Sequence, residues 1–125
     1  MIFNEFDGAW KLALDQEKKL ERKFIKQGDF TYCVYAIIID NILVYIGKCK
    51  DMWKRLDTYR NSKYWKNAHI SNIVKTDKIE NAIRKKRNVI LLVKEYSEET
   101  YSDIEETLIQ KLKPDWNNKH VNPYN

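Results

Sequence analysis

The stretch "VYIGKCKDMWKRLDTYR", residues 44–60, decides how the rest of the chain is read. An apolar, strand-like run stops at Gly47, and Asp51 stands where a helix N-cap is favoured. The segment that follows, to about Arg60, reads as a helix carrying basic and aromatic residues. A strand that turns tightly into such a helix brings backbone close to a ligand. The lysines and arginines around it suit a ligand that carries phosphate.

Working outward, residues 31–39, "TYCVYAIII", are β-branched and aromatic and predict a strand. Asp40-Asn41 is a turn signal, so residues 42–46 return as the second strand of a hairpin. Residues 88–94, "NVILLVK", predict a third strand. Helical periodicity is read over 4–27, where Phe6, Trp10, Leu14, Leu20 and Phe24 recur before Gly28. It is read again over 64–87, with a break near Thr76-Asp77, and over 98–113, ending before Pro114. The order predicts an α/β (α+β) domain: a small three-stranded antiparallel sheet flanked by helices, with an extra N-terminal helix.

A chain of 125 residues with 43% hydrophobic content fits one domain and one modest core. No apolar run approaches the ~20 residues that span a membrane. The opening "MIFNEFDGAW" has acids where a signal peptide has bases, so a cytoplasmic protein is the default expectation. Cys33 and Cys49 form no CxxC pair, and with His69 and His120 as the only histidines no zinc site is read. The net charge of +5 is unevenly spread. Residues 48–66 hold seven bases and two acids, residues 75–94 the same, and residues 95–106 six acids and no base. Solvated helix faces explain such blocks; so does a nucleic-acid groove whose bases neutralise phosphates.

"CVY" at 33–35 followed by "YIG" at 45–47 resembles the signature of the GIY-YIG nucleases. The resemblance runs from residue 31 to 117. In that family an arginine follows the YIG tyrosine by ten residues, here Arg55, with a tyrosine or histidine one helical turn on, here Tyr59. Lys48 stands where a lysine often follows YIG, and "EETLIQKLKPDWN" supplies the family's glutamate, proline and asparagine as Glu105, Pro114 and Asn117. Cys33 replaces the first glycine of GIY. The run from Val34 to Lys48, with "PDWN", is similar to the phage endonuclease II branch. The division implied is a helical extension over 1–29 and a GIY-YIG nuclease domain over 30–125.

The resemblance implies DNA as partner and Mg²⁺ (or Mn²⁺) as cofactor. It gives Tyr35 first, then Tyr45, the work of holding or deprotonating a water; most strand tyrosines merely pack. Arg55, one turn before Tyr59, is expected to clamp the scissile phosphate as charge builds. Glu105 shares an apolar stripe with Leu108, Ile109 and Leu112, where a carboxylate needs a partner; a capping box with Ser102 or a divalent cation would supply one. Gly47, Lys54, Arg60, Lys85, Lys86 and Asn117 are expected at the DNA, Asn117 alternatively pinning the tail.

The hairpin sets a geometric condition. With a plain two-residue turn at Asp40-Asn41, Tyr45 would pair with Ala36, and the two tyrosines would face opposite sides. A shared site requires an odd loop or a β-bulge. The rival readings are a catalytically inactive nucleic-acid-binding module on the same scaffold and a basic protein-interaction adaptor. Double-strand cleavage would require two sites, most simply from a homo-oligomer.

Overall fold

A computed structural model describes residues 3–117. Four strands, β1 (Gly8–Lys11), β2 (Thr31–Ile39), β3 (Ile42–Asp51) and β4 (Val89–Glu95), form one sheet in the order β1-β4-β2-β3 with antiparallel neighbours throughout. Helix α1 (Met52–Asn61) follows β3 directly, α2 (Ile70–Arg84) precedes β4, and α3 (Tyr101–Leu112) follows it. Short 3-10 turns occupy Ser62–Tyr64 and Asp115–Asn117. Among the described residues no helix is long and apolar enough to cross a membrane.

The expected antiparallel sheet flanked by helices is present, with two corrections. It has four strands, and the N-terminal segment is not the expected helix. Trp10, Leu12 and Leu14 turn inward while Ala9, Lys11 and Ala13 face out, a period of two, and residues 8–11 pair with 90–93 of β4. Trp10 then packs against Phe24 and Phe30 at centroid distances of 5.1 and 5.4 Å. A tight reversal at residues 15–19 closes on Asp15, whose Oδ1 accepts from the backbone N–H of Glu17 and Lys19.

The hairpin combines a two-residue turn with a bulge. Asp40 and Asn41 both have positive φ, 48° and 68°, the turn whose twist suits adjoining strands. Ile39 pairs with Ile42 and Ile38 with Leu43, but Ile37 pairs with Tyr45, so Val44 is the extra residue. Beyond it Tyr35 pairs with Gly47. The bulge therefore restores Tyr35 and Tyr45 to one face.

Both sheet faces are covered. Cys33, Tyr35, Ile37, Leu91 and Val93 pack against Leu56 and Tyr59 of α1, Ile79 of α2, and Leu12, Leu20 and Ile25 of the N-terminal segment. Val34, Ala36, Ile46 and Leu92 pack on the other side against Ile104, Leu108 and Ile109 of α3. Fixing α1 to the sheet is a cap: Asp51 accepts from the Lys54 N–H at 3.3 Å and, with its other oxygen, from the Gly28 N–H at 2.8 Å.

Candidate active site

The site begins with a contact inside the sheet. Gly47 is not the end of a strand; β3 runs through it to Asp51. The glycine is required because the Tyr35 ring crosses it, and a Cβ there would stand 2.5 Å from both the hydroxyl oxygen and Cζ of Tyr35. So placed, the Tyr35 hydroxyl meets the Tyr59 hydroxyl at 2.5 Å. Both residues are about 1% exposed. Tyr45, half-buried, lies 6.0 Å ring to ring from Tyr35. Burial first, then the neighbouring hydroxyls of Tyr59 and Tyr45, push the Tyr35 phenol well above its ordinary range, with Arg55 pulling it down. Burial likewise raises Tyr59.

Arg55 approaches this cluster from α1. Burial works against its charge, but the oxygens of Tyr35 and Tyr59 outweigh that, so the guanidinium holds its proton more tightly than usual. No carboxylate lies within 4 Å of it among the described residues. It lines a groove of about 470 Å³ with Lys48, Lys50, Lys54 and Tyr101. The one acid there, Asp51, is occupied by its cap bonds. Lys50 and Tyr101 were not anticipated. Lys50 was legible, because it alternates with Lys48 along the strand.

Lys48 also borders a second groove, of about 940 Å³, lined by Ser102, Glu105, Glu106 and Asn117. Its ammonium donates to Ser102 Oγ at 2.5 Å. The helix begins at Tyr101 after Thr100, so Glu105 is not in a capping box with Ser102 but inside the helix, half-buried. Among the described residues no three His, Cys, Asp or Glu side chains form a metal-binding set. Glu105, in an open polar groove that Glu106 and Asp115 also line, fits a hard cation that keeps most of its waters, such as Mg²⁺. Cys33 and Cys49 face each other across the ladder as free thiols, and hydrogen bonding to Cys49, then burial, raises Cys33, so this pair is packing.

Other expected DNA contacts lie elsewhere. Arg60, 9% exposed, is turned inward to Asp15, to Glu17 Oε2 at 2.9 Å and to the Leu20 carbonyl at 2.9 Å; it anchors the N-terminal segment. Its place was legible too: Met52, Leu56, Tyr59 and Arg60 follow the i, i+4, i+7, i+8 pattern of a buried helix stripe. Asn117 serves as the tail pin, its amide bonding the Ile46 N–H and C=O, both at 2.8 Å, on the outer edge of β3. Lys85 and Lys86 are exposed at the end of α2, where the next residue, Arg87, pairs with Asp40 of the hairpin turn; neither lines the two grooves. His120 lies outside the described residues. Lys75 of α2 was missed altogether: its ammonium is 3.2 Å from the Tyr45 hydroxyl.

The bulge thus puts tyrosines from both hairpin strands on the sheet face that Arg55 approaches. The family model described as "GIY-YIG catalytic domain" matches residues 30–123. The chain belongs to the GIY-YIG family. Among solved structures it is similar to that of a point mutant of bacteriophage T4 EndoII, with a TM-score of 0.72 over 87% of this chain and 89% of that one. At 24% identity that likeness speaks for the GIY-YIG fold. No curated protein matches the chain.

Proposed function

We propose that this protein is a divalent-metal-dependent endonuclease that hydrolyses DNA phosphodiester bonds. The observation that carries the reading is Arg55. It is a cation beside three tyrosines, without a carboxylate partner among the described residues, in a groove that shares Lys48 with the groove of Glu105. A buried or half-buried cation left in that state is a place for a phosphate.

In this reading Lys48, Lys50 and Lys54 hold the DNA backbone and Arg55 takes the scissile phosphate, strengthening its contact as charge develops. A phenol of the tyrosine cluster receives the proton of the attacking water. Glu105 would hold Mg²⁺, which when bound neutralises charge on the phosphate and the departing oxygen. Nicking needs one such site; double-strand cleavage needs two, most simply from a homo-oligomer.

The test is cleavage of supercoiled plasmid with Mg²⁺ by the wild type and by Glu105→Ala, with end-mapping on defined duplexes. Nicked or linear product from the wild type alone is expected. A wild type that binds DNA and leaves it intact identifies an inactive binding module instead.

A further inference from the structure

The loop between α1 and α2 turns aromatic side chains outward. Among the described residues six large hydrophobic side chains are exposed, and three of them, Tyr64, Trp65 and Ile70, fall within this short stretch, at 55%, 47% and 60% exposure. Exposed apolar residues scattered singly are ordinary, whereas a group of them marks a contact surface. The loop is firmly tied down. Ser62, fully buried, bonds the Thr76 hydroxyl at 2.9 Å, and Lys63 reaches Asp77 at 2.6 Å and Glu80 at 3.0 Å on α2. With Ser62 and Lys63 committed to α2, Tyr64 and Trp65 are held out in solvent.

The charge around these rings is positive. The nearby acids are taken up in ion pairs, Asp57 with Arg22, and Asp77 and Glu80 with Lys63. Lys19, whose ammonium stands 4.4 Å from the Tyr64 ring centroid, and the exposed Lys66 have no carboxylate within 4 Å among the described residues. The patch also continues the groove of Arg55. Lys54 and Thr58 line that groove. Asn61 and Trp65 follow them along one side of α1 and its extension, where the Trp65 N–H donates to the Asn61 carbonyl at 3.2 Å. That offset places Trp65 roughly 17 Å from Lys54, the length of about five base pairs. A ligand that is anionic, extended and rich in flat apolar faces matches both ends of this ridge.

We propose that the loop is a second DNA contact, at which Trp65 stacks on a nucleobase while Lys19 and Lys66 meet the neighbouring phosphates; this rests on the reading of DNA as the substrate. Bases in a duplex cover one another, so the ring reaches one only where a base step opens, and the duplex bends there. Every base has a π-face, so the contact tolerates most sequences and favours only steps that open easily, such as TA.

The experiment is binding of a labelled duplex across salt without added Mg²⁺, so that no turnover is needed, with melting used to check folding. Trp65→Ala is expected to weaken binding about 10-fold or more, the scale of one lost base stack. The salt slope should stay at its wild-type value, because the ring neutralises no phosphate. Lys66→Gln should lower that slope by about 0.9. Tryptophan emission should fall when duplex is added to the wild type, and most of that fall should be missing in Trp65→Phe, which keeps most of the affinity. A folded Trp65→Ala that binds as tightly as the wild type overturns the proposal, as does an emission change that survives in Trp65→Phe. A wild-type oligomer that Trp65→Ala dissociates with its DNA affinity intact gives the patch to a second copy of the chain and overturns it too. A wild type without DNA affinity overturns the nuclease reading as well, whereas one that binds but never cuts fails that reading alone.

Discussion

The phenol of Tyr35 lies on the α-carbon of Gly47, its cross-strand partner. The glycine that punctuates "YIG" is thus a seat for the ring, and the seat sets the Tyr35 hydroxyl against that of Tyr59. Gly47→Ala should displace a fully buried ring and destabilise the fold by about 1–3 kcal/mol, the usual cost of overpacking a core. Thermal melting with Mg²⁺ absent measures this apart from activity. A wild-type melting curve would mean that the ring yields without cost.

Arg55→Ala should lower single-turnover cleavage by ~10²-fold or more while changing DNA affinity much less, because the contact strengthens as phosphoryl charge develops. Equal losses in both would reduce Arg55 to a docking residue.

Arg60→Ala tests the internal role of a residue that looked like a DNA contact. Removing it strands Asp15 and the Leu20 carbonyl, and about 2–3 kcal/mol of stability should go with it. Burial opposes ionisation of Asp15, but the Arg60 hydrogen bond and two backbone N–H groups outweigh that and lower its pKa. A lowered carboxyl contributes stability above its unfolded value of about 3.9, and loses it as pH falls through the folded value. Melting temperature should therefore drop below pH ~4 in the wild type, and this part of the drop should be smaller in Arg60→Ala, where only the two backbone N–H groups still favour the charged form. An unchanged acid slope would detach Asp15 from the effect.

Salt dependence should separate the two lysine groups. Each phosphate contact contributes about 0.9 to the slope of log affinity against log salt. Replacing Lys50 and Lys54, which line the groove of Arg55, should flatten the slope by roughly two such contacts. Replacing Lys85 and Lys86, outside both grooves, should leave it unchanged. Dependence on the second pair would bring the hairpin-turn end of α2 to the DNA.

Strand 31–39, the Asp40-Asn41 turn and the Asp51 cap were all legible, because each depends on residues within a few positions of one another. Arg55 and Tyr59 reached one helix face for the same reason. The N-terminal strand failed the reading through its period. Phe6, Trp10 and Leu14 are spaced by four, which places residues on one side of a helix and equally of a strand. Leu12, buried between Trp10 and Leu14, could have chosen between them.

Other relationships had no local trace. The pairing of β1 with β4 joins residues about 80 apart, and the Asn117 clasp reaches Ile46 across 71 positions. Lys75 is 30 residues from Tyr45, on a helix whose own pattern marks nothing special there. Nor does "YIG" disclose that its glycine lies under the Tyr35 ring. Propensity, caps and turn chemistry act over one or two turns of chain, so the sequence by itself determined the hairpin, its neighbouring helix and the identity of the family. Which cation meets which phenol depends on how helices dock on a sheet, and only the tertiary structure decided that.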